Sequence, residues 1–212
     1  MRPKWLILIL SLFLITGCSI TKVNDNDYNS IINTMLKNKK EVTNTYSLGY
    51  EYYLPRNIKI DNVSDYNVIL YTNKIKYYLY VDVISYYHKV DIPYTKYKKA
   101  YYAKELKFNG KKGYIEINKT GDKYFVEMMY NYSKIETYVD KREISQVLID
   151  MCYILNNVRY NDKVIGNIID SDSFSSDIEQ FDIFGPKRDE GQYLDYIKEY
   201  DNYDGEETPS YE

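Results

Sequence analysis

The chain has 212 residues, of which 44% are hydrophobic and 28% are charged, and its formal net charge is −3. This length allows one ordinary domain with appendages, and the apolar fraction suffices for a buried core, which excludes a chain that is disordered throughout. The 28 tyrosines supply large apolar area, but a buried phenol needs a hydrogen-bond partner, so we expect many of them at half-exposed positions.

The N-terminal segment has the layout of a secretory signal peptide. Arg2 and Lys4 precede an apolar run over residues 5–15, which is shorter than the roughly 20 apolar residues that a membrane-spanning helix needs. We therefore predict that residues 1–17 are a signal peptide that is cleaved off. An uncleaved signal anchor is the alternative.

The end of this segment, Ile15-Thr16-Gly17-Cys18, resembles the lipobox of bacterial lipoprotein precursors: an aliphatic residue, two small residues and a cysteine. The resemblance implies that the Cys18 sulfur carries diacylglycerol and that the mature protein is anchored by this membrane lipid on the extracytoplasmic face of a bacterial cell membrane. Two acyl chains hold a protein firmly at a bilayer, whereas one chain gives marginal binding. An ordinary signal peptide with an incidental cysteine is the alternative.

Charge divides the mature chain into two parts. Residues 18–169 contain 23 Lys and Arg against 17 Asp and Glu, which leaves +6, whereas residues 170–212 contain 3 against 14, which leaves −11. This asymmetry predicts a basic body followed by an acidic tail. We accordingly expect a lipidated tether over 18–26, an α+β domain over 27–169 and a disordered acidic tail over 170–212.

Two helices are predicted within the body. Asp27 can cap a first helix that runs to about Lys40, and Asp140 with Glu143 forms a capping-box-like start for the second. Apolar residues recur at intervals of three and four in both, which places them on one helix face. They are Ile31, Ile32, Met35 and Leu36 in the first helix, and Ile144, Val147, Leu148, Met151 and Leu155 in the second. Cys152 lies beside the second stripe and is either a buried apolar residue or a free thiol.

The segment between these helices has the composition of strands. Runs rich in Tyr, Val and Ile alternate with turns at 62–65 and 131–133, and the corner Lys119-Thr120-Gly121-Asp122 is typical of a hairpin. The predicted strands are 49–55, 67–72, 76–85 (a central strand, since it lacks Gly and Pro), 101–108, 113–118, 123–130 and 134–139. We therefore predict an α+β fold with an antiparallel β-sheet flanked by two helices.

The segment from Tyr46 to Tyr160 opens with "LGYEYYLP" and closes with the amphipathic second helix. This order of elements is similar to that of the PsbP-like family of α/β/α sandwiches. The likeness includes no chemical motif, so it implies a fold and supplies no function.

No motif identifies a catalytic or cofactor site. The segment Gly110-Lys111-Lys112-Gly113 lacks the spacing of a phosphate-binding loop, and the acidic residues 170–181 lack the Gly and Glu of a calcium loop. His88, the single histidine, has no partners for a triad or a metal site, so we expect it to be structural or exposed. We predict no metal and no cofactor. Glycosidase carboxylates pair in space, so a sequence does not reveal them.

Basic and aromatic residues alternate in one stretch of the body. Lysine neutralises anions and tyrosine can stack on bases, but export makes nucleic acid an unsuitable partner. We predict a surface binding patch for anionic lipid headgroups or wall polymers. The alternative is a solvated loop whose lysines protect a strand edge. The patch consists of Tyr94, Lys96, Tyr97, Lys98, Lys99 and Tyr101.

The acidic tail contains one patterned piece. Tyr193, Tyr196, Ile197 and Tyr200 have the spacing of a short helix with an aromatic face, which would be marginal in isolation. We predict an interaction motif that folds on a partner or on the basic body of its own chain. A disordered, solvating tail is the alternative.

These features predict a lipid-anchored extracytoplasmic envelope protein that acts as a binding or structural module, with anionic envelope polymers or another envelope protein as its partner. An envelope enzyme, such as a carboxylate-based glycan hydrolase, and a lipoprotein that delivers a small ligand to a transporter are the alternatives. A hydrolase would have a concave pocket with convergent carboxylates, whereas a binding module would expose a groove with the Tyr and Lys patch.

Overall fold

The computed structural model describes residues 28–38, 42–64, 66–72, 74–170 and 186. Cys18 and the tail motif of Tyr193, Tyr196, Ile197 and Tyr200 lie outside the described residues. The described helices are α1 (Tyr28–Lys37), α2 (Val83–Tyr87), α3 (Ile144–Asn156) and α4 (Asp162–Asp170), with a 3₁₀ turn over Lys141–Glu143. The described strands are β1 (Thr45–Ser47), β2 (Tyr50–Tyr52), β3 (Lys59–Ser64), β4 (Asn67–Tyr71), β5 (Lys76–Val81), β6 (Tyr102–Phe108), β7 (Lys111–Thr120), β8 (Lys123–Tyr130), β9 (Ser133–Val139) and β10 (Arg159–Tyr160).

A seven-stranded antiparallel sheet, in the order β3-β4-β5-β9-β8-β7-β6, forms the framework of the domain. Two hairpin runs build it, β3 to β5 and β6 to β9, and they meet where β5 pairs with β9. A second, small sheet has the order β1-β2-β10. The predicted α+β fold with an antiparallel sheet is therefore confirmed.

Tight turns between β6 and β9 fix the register of this half of the sheet. Asn109 and Gly110 connect β6 to β7 with φ of 51° and 76°, and Asn131 and Tyr132 connect β8 to β9 with φ of 54° and 61°. Two successive residues at positive φ match the right-handed twist of the flanking strands. Gly121, at φ 61°, occupies the hairpin corner that the sequence predicts.

The core lies between one face of the sheet and the pair of helices α1 and α3. Ile32, Leu36, Val147 and Leu148 are fully buried there, so both predicted apolar stripes face the sheet. Cys152 is also buried, and its Sγ lies 4.0 Å from the Met128 Sδ. Burial raises the pKa of the Cys152 thiol to about 12, so this cysteine is an apolar core residue.

Most of the described tyrosines are half-buried or exposed, as we expect from the sequence, but several are buried completely. Among them, the Tyr77 hydroxyl donates to Asp150 Oδ2 at 2.8 Å, and the Tyr130 hydroxyl donates to the Phe108 carbonyl at 2.7 Å. The fully buried tyrosines are Tyr52, Tyr77, Tyr114 and Tyr130.

The run 76–85 is not one strand, contrary to the prediction. Strand β5 ends at Val81, and the Asp82 side chain caps α2 by accepting hydrogen bonds from the backbone N–H groups of Ile84 and Ser85. His88 consequently ends a helix and not a strand, and its side chain is exposed as expected.

Other boundaries also need correction. Residues 62–64, predicted as part of a turn, belong to β3, and α1 ends at Lys37 and not at about Lys40. Helix α4 was not predicted, although Val164, Ile165, Ile168 and Ile169 have the spacing of one helix face and Gly166 lies within it. That glycine lies where α4 packs on α2, and a Cβ there would be 3.2 Å from the Tyr87 hydroxyl. No helix in the described ranges is long and apolar enough to cross a membrane.

Candidate functional site

Residues 89–101 connect α2 to β6 without a helix or a strand, and we call this segment the strap. Ile92 and Tyr94 of the strap pack against Tyr114 and Met129. Side chains along a strand alternate between the two faces of the sheet. The residues on either side of Met129, and Ile115 next to Tyr114, face the helices, so Tyr114 and Met129 lie on the opposite face. The strap therefore covers the sheet face that α1 and α3 leave open.

A row of buried charges lies on this same face. Glu116, Glu127 and Glu136 stand directly opposite one another on β7, β8 and β9, and Lys134 precedes Glu136 by two residues. All four side chains are fully buried. The Lys134 Nζ lies 3.0 Å from Glu127 Oε2 and 2.7 Å from Glu136 Oε1. We call these four residues the buried charge row.

Tyr94 connects the strap to the buried charge row. Its hydroxyl donates a hydrogen bond to Glu116 Oε1 at 2.9 Å. Its ring stacks on Tyr114 with centroids 4.6 Å apart and an interplanar angle of 4°. Tyr94 thus makes one polar and one aromatic contact between the strap and the sheet, in addition to the packing of Ile92 and the ion pair of Asp91 with Lys112.

Burial and the neighbouring carboxylates determine the ionisation states of Lys134 and of Tyr114. Burial by itself lowers the pKa of Lys134, but the carboxylates of Glu127 and Glu136 raise that pKa above the ordinary value of a lysine. Burial and, next, the charges of Glu127 and Glu136 raise the pKa of Tyr114 well above its usual range. Lys134 is therefore a cation and Tyr114 a neutral phenol at neutral pH. Among the described residues, no group of three or more His, Cys, Asp and Glu side chains could hold a metal ion.

An open cleft of about 460 Å³ lies between the strap, strand β6 and the start of α1. The strap contributes Lys96, Tyr97 and Lys98, strand β6 contributes Lys104, and α1 contributes Asn29. We call this the β6 cleft. Since β6 is the last of the described strands in the sheet, the cleft runs along the edge of the described sheet.

Hydrogen bonds fix the floor of the β6 cleft. The Lys104 Nζ donates to Asn33 Oδ1 at 2.8 Å, and the Tyr102 hydroxyl donates to Asn29 Oδ1 at 2.9 Å. Burial, with the nearby charge of Lys37, lowers the pKa of Lys104 below its ordinary value. Strand β6 and α1 therefore hold this lysine in one place.

The charge of the β6 cleft is predominantly positive. Lys96 and Lys98 are exposed on the strap side. Glu105 also lines the cleft, but its Oε1 lies 2.7 Å from the Lys107 Nζ, which offsets its charge. Tyr101 contributes an aromatic wall and packs edge-on against Tyr124 with ring centroids 4.8 Å apart.

The structure places the predicted binding patch in two locations. Lys96, Tyr97, Lys98 and Tyr101 line the β6 cleft, and Lys99 is exposed beside them. Tyr94 faces the buried charge row instead. The buried charge row was not predicted from the sequence. A signal was present nevertheless, since each glutamate of the row interrupts an apolar stretch of a strand.

No protein-family model, no curated protein and no solved structure matches this chain. The resemblances to lipoprotein precursors and to PsbP-like sandwiches stay predictions.

Proposed function

We propose that this protein is a lipid-anchored extracytoplasmic protein of the bacterial cell envelope whose domain binds an anionic ligand in the β6 cleft. The observation that carries the proposal is that Lys96, Lys98 and Lys104 line one open cleft together with tyrosine rings. Ammonium groups are point charges suited to phosphate and carboxylate, and tyrosine supplies a ring with a polar tip. The lipobox-like sequence at Cys18 supports the extracytoplasmic location.

The buried charge row argues against the hydrolase alternative. A glycosidase needs two carboxyl groups on either side of the bond that it cleaves. Glu116, Glu127 and Glu136 converge, but each is fully buried, so a glycan has no access to them. Glu105 reaches the β6 cleft and is engaged by Lys107.

The shape of the cleft favours a polymer over a small transported ligand. A protein that delivers a small molecule must enclose most of its surface. The β6 cleft is open along a sheet edge, so a segment of an extended anionic polymer can lie in it. An anionic envelope polymer is therefore the ligand class that best fits both the cleft and the location.

The test is binding of soluble poly(glycerol phosphate) to the lipidated protein in nonionic detergent. Reversing two charges with Lys96→Glu and Lys98→Glu should lower the affinity roughly tenfold or more, since each exposed charge contact contributes up to about 1 kcal/mol. The control variant carries Lys59→Glu and Lys74→Glu, which are exposed and away from β6. Equal losses in both variants, or no binding by wild type, would contradict the proposal.

A further inference from the structure

The β6 cleft lies at the point where the chain enters the domain. Asn29, the second residue of α1, lines the cleft and accepts the hydrogen bond from Tyr102. Tyr28, the first residue of α1, packs edge-on against the Tyr102 ring with centroids 5.5 Å apart. The segment that leads to Cys18 therefore leaves from the rim of the cleft.

The length of that segment limits how far the cleft can lie from the anchor. Nine residues lie between Cys18 and Tyr28, so ten chain steps join the two residues. Fully extended, they span at most about 35 Å, and as a flexible chain they span about 17 Å on average. If the Cys18 sulfur carries diacylglycerol, the β6 cleft stays next to the headgroups of the anchoring bilayer.

The residues on the cleft rim suit such a surface. Lys96, Lys98 and Lys99 are exposed, and lysines near an anionic leaflet are attracted to its surface. Tyr97 and Tyr101 present the amphipathic rings that proteins place at the level of the headgroups. The positive charge of the cleft rim and the short distance to Cys18 thus both favour an anionic bilayer surface as the occupant of the cleft.

We propose that the β6 cleft docks on the anionic phospholipid surface of the bilayer that carries the protein's own acyl chains. This inference rests on the proposed function and adds the phospholipid headgroup, a phosphodiester like the repeating unit of poly(glycerol phosphate), as a further anion that the same cleft binds. The acyl chains and the basic cleft act as two membrane contacts, and the second fixes the orientation of the domain. Asn156, three residues before β10, donates hydrogen bonds to the carbonyls of Met35 and Asn38, so the small sheet lies at the other end of α1 and faces away from the bilayer.

Tryptophan fluorescence can test this orientation. The single tryptophan is Trp5 in the predicted signal peptide, so the mature chain has none. Tyr97→Trp places one fluorophore in the cleft, and Tyr101→Trp gives a second probe should the first variant fold poorly. Tyr46→Trp is the control, because Tyr46 lies on β1 and is 73% exposed.

Each lipidated, full-length variant is reconstituted into brominated phosphatidylcholine vesicles with or without phosphatidylglycerol. The Tyr97→Trp indole should shift to shorter wavelengths and be quenched severalfold more in the anionic vesicles, and high salt should remove the difference. Adding Lys96→Glu and Lys98→Glu should abolish the response, whereas adding Lys59→Glu and Lys74→Glu should leave it unchanged. The emission wavelength and quenching of the Tyr46→Trp indole should be the same in the neutral and the anionic vesicles.

Equal quenching of the Tyr97→Trp indole in neutral and anionic vesicles would overturn the docking. A response to soluble poly(glycerol phosphate) without a response to anionic vesicles would leave the proposed function standing and overturn the docking alone. A response to neither would overturn both. If the response to anionic vesicles appears only after residues 171–212 are deleted, the acidic tail occupies the cleft in the intact protein, which also overturns the docking.

Discussion

The Tyr94 hydroxyl donates a hydrogen bond to Glu116 Oε1 across 2.9 Å, and this contact joins a surface segment to a buried row of charges. Two to four residues further along the chain, the same strap supplies Lys96, Tyr97 and Lys98 to the β6 cleft. The wall of the cleft therefore depends on a contact made on the covered face of the sheet.

Replacing Tyr94 with Phe should loosen the strap. The change keeps the ring on Tyr114 but removes the donor to the buried Glu116, which costs about 1–3 kcal/mol. Backbone amides of the strap should exchange with deuterium at least several times faster than in wild type. Tyr46→Phe, at an exposed position, is the control. Unchanged exchange in the strap of Tyr94→Phe would show that this hydrogen bond does not hold it.

Replacing Lys134 with Met should destabilise the domain strongly. The ammonium of Lys134 lies between the carboxylates of Glu127 and Glu136, and its removal leaves two buried negative charges side by side. Breaking a buried ion pair from one side costs about 3–5 kcal/mol. Urea unfolding at neutral pH measures the difference, and a loss below about 1 kcal/mol would contradict it.

A compensated variant separates the missing charge from the altered packing. The triple variant Lys134→Met, Glu127→Leu and Glu136→Leu removes the ammonium together with both carboxylates that it contacts. Replacing a whole buried ion pair with apolar residues of similar volume is often neutral or stabilising. The triple variant should therefore recover most of the stability that Lys134→Met loses.

The predictable part of the fold is the part that local chemistry determines. Strand β8 was predicted with its observed bounds, Lys123–Tyr130, because a Gly-containing corner precedes it and a turn follows it. Helix α3 was predicted from its capping box, in which the Asp140 N–H donates to Glu143 Oε2 at 3.1 Å. In these segments propensity, apolar spacing and turn residues agree.

The parts of the fold and site that were not predicted depend on competing local preferences or on contacts between residues far apart in the sequence. Four of the five residues of α2, Val83, Ile84, Tyr86 and Tyr87, are β-branched or aromatic and favour a strand, and the cap at Asp82 stabilises the helix instead. The buried charge row requires the register of three strands, since a shift of one residue would turn each glutamate to the other face. The cleft likewise combines Asn29 with β6, which lies far away in the sequence.

The pH dependence of stability should reveal Asp150. Burial raises the pKa of Asp150 above its ordinary value, although hydrogen bonds from Tyr77 and Gln146 lower it. Such a carboxyl contributes stability that is complete below its unfolded pKa and is lost as the pH rises through its folded pKa. Asp150→Asn does not ionise, so the free energy of unfolding of the variant relative to wild type should rise between about pH 4 and pH 7. A constant or falling difference in urea unfolding would contradict this.

Replacing Gly113 with Ala should weaken the pairing of β7 with β8. Gly113 lies opposite Tyr130, and a Cβ at Gly113 would overlap the backbone carbonyl of Met129, which cannot move aside as a side chain can. We expect a loss of about 3 kcal/mol, at the upper end of the usual cost of overpacking. Gly110→Asn is the control, because nothing lies within 4 Å of its Cβ position and Asn tolerates a positive φ. Thermal unfolding of both variants measures the contrast, and equal losses would contradict it.

Lipid anchorage is the claim on which both the envelope location and the membrane docking of the β6 cleft depend. The direct measurement is the intact mass and detergent partitioning of wild type and Cys18→Ala, each expressed in a bacterium. We predict that only the wild type is cleaved before Cys18, gains the mass of diacylglycerol and enters the detergent phase. If Cys18→Ala is processed and partitions like wild type, the protein is not a lipoprotein, and the cleft binds its anion without a membrane anchor.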